Sequence, residues 1–514
     1  MGAAAALSVL QPGEGGSARP TRPSHGPLNM TPSPRVAIVG AGFGGLAAAI
    51  ELERAGVDYT VFERADEVGG VWQANTYPGA ACDVPSVIYQ FSHALNDNWG
   101  RRFGTQAEIR DYLRNVSLDT GVRGRVRFGS EVTTARFDQA TGTWVLTLAD
   151  GATESCDVLV CATGQLSRPS FPPVPGRDVF AGEQFHSAEW DHTVELADRR
   201  VVVVGSGASA VQIVPAIADA AREITVIQRD PNWVVNKIDW SPPRAERILA
   251  SRVPGFLRAY RALMWWWFES RYPVFVPRRM SAIRKALEWR QRRFIRRSVG
   301  GDRALAEKLT PDYALGCNRI LLSREWYPTL AREDVKVVAA AVDEVTPDGL
   351  LVGGERVEAD VIVWCTGFTP TEYLAPMQVV GRDGREIREH WAEGPEAYLG
   401  LSTPGFPNLF MLYGPNTGSL TNTIVSLLEY QAGYIRQAVE HIAAHGEPLE
   451  VRESVHRGFN EELQRRLGRT VFTLGCPGWY TTAGGKVTTV WTGSHLEYRR
   501  RTRRFDADAY EHVH

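Results

Sequence analysis

The segment from Arg35 to Gly45, RVAIVGAGFGG, carries the clearest information on the fold of this chain. Within it, Val36–Val39 is a short apolar run, as expected of a strand buried on both faces in a parallel sheet. The run leads directly into a G-x-G-x-x-G pattern at Gly40, Gly42 and Gly45. Glycines at these positions permit a tight turn and let a pyrophosphate approach the N-terminus of the following helix.

The next residues complete a dinucleotide-binding unit. An alanine-rich segment predicts a helix that ends at Gly56, where glycine suits a left-handed C-terminal residue. A second predicted strand, Tyr59–Phe62, delivers Glu63, 23 residues after Gly40. A carboxylate in this position accepts hydrogen bonds from ribose hydroxyls. The unit therefore predicts a dinucleotide without a 2′-phosphate, and FAD is the natural assignment.

A second copy of the pattern lies at Val201–Ala210, VVVVGSGASA, with Gly205, Gly207 and Ala210 in the motif positions. Its second predicted strand is Ile224–Ile227. The chain therefore holds two predicted dinucleotide sites.

The charge after the second strand differs between the two copies. Gln228 and Arg229 stand where the first copy has its acid, and an arginine can pair with the 2′-phosphate of NADPH. Asp230 opposes this, because a carboxylate beside a phosphate weakens binding. We expect NADPH at this site, and an ordinary solvated role for Arg229 stays open.

Two further segments echo each other, DVLVCATG at 157–164 and DVIVWCTG at 360–367. Each predicts a buried strand that ends in Thr-Gly and closes a nucleotide-binding sheet. The expected fold is α/β, with two Rossmann-like dinucleotide-binding domains, for FAD and NADPH, and a helical insertion. The predicted boundaries are a disordered tail 1–34, FAD-binding parts 35–166 and 369–514, NADPH-binding parts 167–240 and 316–368, and a helical insertion 241–315.

The insertion contains LMWWWF at 263–268 and a basic stretch from Arg278 to Arg297. This combination fits a membrane-surface element. We favour a helical subdomain with inward-packed aromatic residues and solvated arginines, because consecutive tryptophans cannot share one helix face. Whether the insertion lines the substrate pocket or touches a membrane stays open.

The composition is that of an ordinary globular protein. The formal net charge of −2 gives no general attraction to nucleic acid. Six cysteines without a C-x-x-C pair argue against a disulfide framework or a zinc site, so we expect no metal and a cytoplasmic location. The longest charge-free apolar run, Val36 to Ile50, is too short for a membrane span. We expect a monomer or weak oligomer.

Two dinucleotide sites fit at least two reaction types. A disulfide reductase would need a redox-active cysteine pair near the flavin, and the scattered cysteines offer none. The other type passes hydride to FAD and lets the reduced flavin meet oxygen, so that a flavin peroxide is the expected oxidant.

Two longer motifs carry a resemblance to a known family. FAGEQFHSAEWD at 180–191 matches F-x-G-x-x-x-H-x-x-x-W-[P/D], and GGVWQANTYPGAACD at 69–83 matches G-G-x-W-x-x-N-x-Y-P-G-x-x-x-D. Both resemble the motifs of the type I Baeyer–Villiger monooxygenases, and the resemblance runs from about Arg35 to Tyr498. The sister flavin-containing monooxygenases, which oxygenate nitrogen and sulfur, share the glycine motifs but usually lack the tryptophan–acid ending.

The resemblance implies roles for three residues. His186 would couple movement of the two domains to cofactor position without donating a proton, and a purely structural role is the alternative. Arg319 would face the flavin peroxide and stabilise the anions of the reaction, since a guanidinium is always charged. Asp83 would orient Arg319.

The resemblance also implies contacts to the cofactors. Asn318 departs from a family lysine that helps hold the 2′-phosphate, so with Asp230 we expect a weaker preference for NADPH over NADH than relatives show. Trp479 resembles a tryptophan at the nicotinamide ribose, and a buried core tryptophan is the equal alternative. The expected cofactor contacts are Gly40, Gly42, Gly45, Glu63, Val71, Trp72, Asp83, Tyr89, Thr163, Gly164, Gly205, Ser206, Gly207, Ser209, Ala210, Gln212, Arg229, Asn318, Arg319, Asn416, Thr417 and Trp479.

The implied function is that of an FAD- and NADPH-dependent Baeyer–Villiger monooxygenase. Such an enzyme inserts one atom of O₂ beside the carbonyl of a ketone or aldehyde and gives an ester or lactone. A flavin-containing N- or S-oxygenase on the same fold, and a flavoprotein that oxidises NADPH without oxygenation, stay open. The expected partners are a small ketone or aldehyde and molecular oxygen, with no nucleic acid and no integral membrane segment. The fold does not name the substrate.

Overall fold

The computed structural model describes residues 33–275, 281–419, 421–473, 480–482 and 484–513. Residues 1–32 of the expected tail lie outside the described residues, and so does Trp479.

Strand–helix–strand units at the two glycine motifs are joined by runs of several strands and by a run of helices. The strands are β1 (Val36–Val39), β2 (Tyr59–Phe62), β3 (Val126–Arg127), β4 (Val132–Asp138), β5 (Thr143–Leu148), β6 (Thr153–Cys156), β7 (Val158–Cys161), β8 (Glu183–His186), β9 (Arg200–Val204), β10 (Glu223–Ile227), β11 (Val234–Val235), β12 (Leu321–Leu322), β13 (Val335–Val338), β14 (Val342–Thr346), β15 (Gly349–Val352), β16 (Glu355–Glu358), β17 (Val361–Trp364), β18 (Gln378–Val380), β19 (Leu409–Met411), β20 (Leu449–Val451) and β21 (Tyr510–His512). The helices are α1 (Phe43–Ala55), α2 (Val71–Ala74), α3 (Gln106–Asp119), α4 (Ala208–Ile217), α5 (Arg244–Arg252), α6 (Phe256–Glu269), α7 (Tyr272–Phe275), α8 (Ser281–Ser298), α9 (Arg303–Lys308), α10 (Trp326–Leu330), α11 (Ile387–His390), α12 (Ile424–His445), α13 (Glu453–Leu467) and α14 (His495–Thr502).

The first parallel sheet has the strand order β19-β7-β1-β2-β3, and all its neighbours run parallel. Every residue of β1 is buried. The alternate residues Val36 and Ile38 pack among α1 and α12, and Ala37 and Val39 pack against the opposite layer. Helix α1 ends at Gly56, whose φ is 69°. The predicted strand–helix–strand unit is therefore confirmed.

The second parallel sheet has the strand order β13-β10-β9-β17-β8, again with parallel neighbours throughout. The two echoed segments form β7 and β17. Each pairs directly with the strand that leads into its glycine motif, β7 with β1 and β17 with β9. Both are internal strands, so the expectation that they close their sheets is wrong. The predicted α/β class is confirmed, with one parallel sheet for each glycine motif. The individual domain boundaries stay predictions.

Two smaller sheets cover the parallel ones. Strands β18-β4-β5-β6 form one and β14-β15-β16 the other. Trp144 and Leu146 of β5 pack beneath the first parallel sheet, and Val345 of β14 packs on Ile362 of β17. Both faces of each parallel sheet are therefore covered, as buried parallel strands require.

The insertion is helical, as predicted, and comprises α5 to α9. The expectation that its aromatic residues pack inward is right for Trp265, which is 8% exposed, but wrong for Trp266 and Trp267, which are 55% and 63% exposed. A helix turns about 100° per residue, so only one of three consecutive side chains can face the core. Among the arginines, Arg284 is buried, whereas Arg293 and its neighbours are mostly exposed.

The cysteines are not all free thiols. Cys317 is disulfide-bonded, contrary to the expectation drawn from spacing, because spacing carries no information on which thiols meet in space. Four others are free and buried: Cys82, Cys156, Cys161 and Cys365. Among the described helices, none combines the length and apolar character needed to cross a membrane.

Candidate active site

The first glycine loop has no room for a side chain at Gly40 or Gly45. Gly40 has a φ of +102°, and a Cβ atom there would lie 2.7 Å from the carbonyl oxygen of Ala162. A Cβ atom on Gly45 would lie 1.8 Å from the Gly40 oxygen. Gly42 begins α1 without a side-chain cap. The loop thus exposes backbone to a ligand at a helix N-terminus, which suits a pyrophosphate.

Glu63 is fixed beside this loop. Its side chain is buried, and its carboxylate accepts hydrogen bonds from the backbone N–H groups of Ala41, at 2.6 Å, and Ala65, at 2.9 Å. A carboxylate has more acceptor positions than these two bonds use. Glu63 can therefore also accept hydrogen bonds from hydroxyl groups at the loop.

The second glycine loop repeats the construction of the first. Gly205 has a φ of +119°, and a Cβ atom there would lie 2.3 Å from the Cys365 oxygen. Cys365 stands before Thr-Gly in β17's continuation, as Ala162 does after β7. Gly164 and Gly367 both have positive φ and open space where a Cβ atom would stand. The two loops are built to receive the same kind of group.

Arg229 and Asp230 form an ion pair beside the second loop. Arg229 is 75% exposed, and its Nε lies 2.7 Å from Oδ2 of Asp230. The Ser206 hydroxyl donates to the Asp230 carbonyl oxygen at 2.8 Å. Asp230 therefore pairs with the arginine that the sequence predicts as the partner of a 2′-phosphate.

Asn318 reaches the same loop through a chain of polar contacts. It contacts the hydroxyl of Tyr313, which donates to Oδ1 of Asn232 at 3.0 Å. The amide nitrogen of Asn232 donates to the Ser206 carbonyl oxygen at 3.0 Å. Asn318 thus contributes an uncharged group near the second loop.

The motif at 69–83 bridges the two loops. At one end, a Cβ atom on Gly70 would lie 3.0 Å from the Cα of Gly42. At the other end, the side chain of Gln212 accepts from the Tyr77 hydroxyl at 3.0 Å and donates to the Ala81 oxygen at 2.9 Å. Gln212 lies on α4, so the motif joins the N-terminal regions of α1 and α4.

The bridging motif ends at Asp83, which meets Arg319. Oδ2 of Asp83 lies 3.4 Å from Nη2 of Arg319, and the two side chains are 11% and 45% exposed. Burial by itself would lower the pKa of Arg319, but the charge of Asp83 and the neighbouring Tyr480 and Tyr413 raise it above its ordinary value. Arg319 is therefore a permanent cation held by a carboxylate.

Tyr413 and Tyr480 are neighbours of Arg319 that the sequence analysis did not single out. Burial raises the pKa of both phenols, and the charge of Arg319 acts in the opposite direction. Tyr413 has a φ of 60°, and its N–H donates to Gln431 at 3.0 Å. In sequence no local pattern marks either tyrosine, so only its position beside Arg319 identifies it.

His186 lies on the edge strand of the second parallel sheet. It is fully buried at the end of β8, opposite Trp364 of β17, between the rings of Phe171 and Phe368. Its Nδ1 accepts from the Ala188 N–H at 3.1 Å. Burial lowers the pKa of His186 to about 4, although the Gly367 backbone opposes the shift. His186 is therefore neutral near pH 7.

The rest of the 180–191 motif has evident structural reasons. A Cβ atom on Gly182 would lie 2.5 Å from the Asp360 oxygen and 2.7 Å from the ring of Phe180. Trp190 packs edge-on against Phe185 at 4.9 Å, and Asp191 accepts from the backbone and hydroxyl of Thr193. The motif thus fixes the edge strand β8 beside β17.

The remaining predicted residues surround the first loop and the bridging motif. The Trp72 indole donates to the Tyr89 hydroxyl at 3.2 Å, and the Tyr89 ring packs 5.1 Å from that of Phe43. Asn416 is buried with a φ of 56°, and its Oδ1 has no hydrogen-bond partner among the described residues. Val71 begins α2, Thr163 follows β7, Ser209 contacts Tyr77, Ala210 is buried on α4, and Thr417 donates to the Gly414 oxygen.

Comparison with known proteins identifies the chain. Residues 33–283 match the family described as flavin-binding monooxygenase-like. A Baeyer–Villiger monooxygenase of Streptomyces coelicolor is 42% identical over 93% of this chain and 92% of its own length. A Baeyer–Villiger monooxygenase of Pseudomonas aeruginosa is 38% identical over 93% of this chain and 91% of its own length. The crystal structure of OTEMO in complex with FAD and NADP superposes with a TM-score of 0.85 at 27% identity, covering 94% of this chain and all of that one. The chain therefore belongs to the Baeyer–Villiger monooxygenases, within the flavin-binding monooxygenase-like proteins.

Proposed function

We propose that the protein converts ketones or aldehydes into esters or lactones, using FAD, NADPH and O₂. The observation that carries this proposal is the Asp83–Arg319 pair at the end of a motif that touches both glycine loops. A fixed cation next to two dinucleotide sites suits a reaction in which oxygen atoms become anionic.

The residues of the first loop fit FAD. Gly40, Gly42 and Gly45 would receive its pyrophosphate against the N-terminus of α1, and a side chain on Gly40 or Gly45 would clash with the backbone there. Glu63 would accept hydrogen bonds from the ribose. The buried and unpaired Oδ1 of Asn416 offers a further acceptor on the returning segment.

The residues of the second loop fit a nicotinamide dinucleotide. Gly205 and Gly207 would receive the pyrophosphate against α4. Arg229 would reach a 2′-phosphate after partial release from Asp230, 2.7 Å away. This competition supports the expectation of a modest preference for NADPH over NADH.

When bound, the two cofactors supply hydride transfer and the activation of O₂. Arg319 would direct its fork of N–H donors toward the oxygen atoms that gain negative charge as the carbonyl group is attacked. Asp83 is a positioning residue, because its carboxylate fixes the guanidinium without cancelling its ability to donate. Tyr413 and Tyr480 would restrict water around the guanidinium and increase the strength of its electrostatic interactions.

His186 would act as a positioning residue. Its neutral imidazole links the 180–191 motif to the residues around Gly367. Since Gly367 follows β17, which lies between β9 and β8 in the second sheet, a shift of β8 would be transmitted to the nicotinamide site.

A substrate panel tests the proposal. The FAD-loaded protein would be assayed with NADPH and a cyclic ketone, a thioether or a primary amine, with oxygen uptake and hydrogen peroxide measured in parallel. We expect the ketone to give a lactone, and the amount of NADPH consumed to equal the amount of lactone formed. Hydroxylamine as the only product would indicate an N-oxygenase, and peroxide equal to the oxygen consumed in every case would indicate a non-oxygenating flavoprotein.

A further inference from the structure

Three histidines meet at the C-terminal end of α12, although they are far apart in sequence. His441 and His445 stand one helical turn apart, so their side chains share a face. Gly446, with a φ of 75°, ends the helix and reverses the chain into β20. Leu449 of β20 pairs with His512 of β21, which brings His512 back beside the end of the helix.

The three imidazoles are close enough to share one ion. One ring nitrogen from each lies within 4.8 Å of the others. The ring of His441 lies 4.0 Å from that of His445 and 5.6 Å from that of His512. The nitrogens of a zinc site lie about 3.4 Å apart, because each Zn–N bond is about 2.0–2.1 Å long. Movements of about 1 Å at each ring would close the site.

The hydrogen bonds already present orient the rings as ligands. Nδ1 of His445 lies 2.8 Å from the carbonyl oxygen of His441. A carbonyl can only accept, so Nδ1 carries the proton and Nε2 keeps its lone pair. In histidines that bind metals, the ring nitrogen that does not contact the metal typically donates a hydrogen bond of this kind. Oε2 of Glu447 lies 3.8 Å from Nδ1 of His512, where a carboxylate can orient that ring.

We propose that His441, His445 and His512 bind one divalent transition-metal ion, with Zn²⁺ as the expected occupant. Three imidazole nitrogens and one carboxylate or water are a donor set that zinc accepts in tetrahedral geometry. The ion would fasten the C-terminal strand β21 to the end of α12. Its role would be structural, because fourteen residues of helix, about 21 Å, separate His445 from Gln431, which contacts Tyr413.

Metal titration of the full-length, FAD-loaded protein tests the proposal. The protein would carry no polyhistidine tag, and ZnCl₂ would be the probe in calorimetry, with chelator competition to fix the affinity. We expect one Zn²⁺ per chain with a dissociation constant in the micromolar range or tighter, and a higher thermal midpoint with zinc. Co²⁺ in its place should give the visible absorption of a tetrahedral site.

Variants separate this site from adventitious binding. His441→Ala, His445→Ala and His512→Ala should each weaken Zn²⁺ binding at least tenfold and abolish the zinc-dependent rise in thermal midpoint. His445 is exposed, so His445→Asn provides a variant that should fold even if the others do not. His192→Ala is the matched control, because His192 is an exposed imidazole that contacts the Thr76 hydroxyl and lies outside the cluster; it should bind zinc like the wild type. Binding no tighter than millimolar, or binding lost in His192→Ala but kept in His445→Asn, would overturn the proposal.

Discussion

Removing the charges of Arg319 and Asp83, one at a time and together, is the sharpest perturbation of the proposed site. In Arg319→Ala the cation disappears and Asp83 is left without its partner. In Asp83→Asn the cation remains but loses the carboxylate 3.4 Å away that fixes it. The two changes therefore separate the presence of the charge from its position.

The geometry sets the size of each effect. Loss of one donor aimed at a developing oxyanion typically costs about 2.7–4 kcal/mol, or a 10²–10³-fold loss in rate, and we expect this for Arg319→Ala. Two unit charges about 4 Å apart interact by about 4 kcal/mol at an effective dielectric constant of about 20. Because Arg319 is 45% exposed, solvent screening reduces that figure to about 1–2 kcal/mol. Asp83→Asn should thus lose about tenfold.

The assay measures two steps separately. Ester formation under steady-state conditions should fall as stated, while anaerobic reduction of bound FAD by NADPH should stay within tenfold of wild type in both variants. The double variant should resemble Arg319→Ala alone, because Asp83 acts through Arg319. Ester formation by Arg319→Ala within tenfold of wild type, or additive losses in the double variant, would refute the reasoning.

The other predictions concern cofactor choice, packing and pH. We expect kcat/KM to favour NADPH over NADH by less than about a thousandfold, or about 4 kcal/mol. Asp230→Asn should raise kcat/KM for NADPH by up to about fivefold, because it frees Arg229. A ratio of kcat/KM for NADPH to that for NADH that is the same in Asp230→Asn as in the wild type would contradict this. Gly182→Ala should destabilise the fold by about 1–3 kcal/mol because of its contact with Asp360. Gly207→Ala, where a Cβ atom meets nothing within 4 Å, should leave the thermal midpoint unchanged. The pKa of His186 is lowered to about 4 in the folded protein. The contribution of His186 to the free energy of unfolding should therefore be complete above about pH 6.5 and should decrease as pH falls toward 4. In unfolding experiments, His186→Gln should reduce the difference in the free energy of unfolding between pH 6.5 and pH 4 by up to about 3 kcal/mol.

Local patterns predicted the nucleotide units closely. The bounds of β1 and β2 and the end of α1 at Gly56 agree with the structure. The reason is physical, because an apolar run, a glycine turn and a left-handed cap each depend on neighbouring residues. The Thr-Gly repeats predicted β7 and β17 for the same reason.

Contacts between residues that are distant in sequence could be predicted only in part. Asp83 and Arg319 are 236 residues apart, and family resemblance, not local pattern, suggested that they meet. Nothing local marks Tyr413 and Tyr480 as neighbours of Arg319. The outward direction of Trp266 depends on which side of α6 packs on the core, and the tryptophan run contains no information on that choice.

The central claim is that this protein inserts oxygen from O₂ beside a carbonyl group. Its most direct test is turnover of a cyclic ketone with NADPH under ¹⁸O₂, followed by mass spectrometry of the product. We predict a lactone that carries one ¹⁸O atom in its ring, formed in a one-to-one ratio with the NADPH oxidised. Unlabelled product, or NADPH oxidation that yields only labelled hydrogen peroxide, would contradict the account.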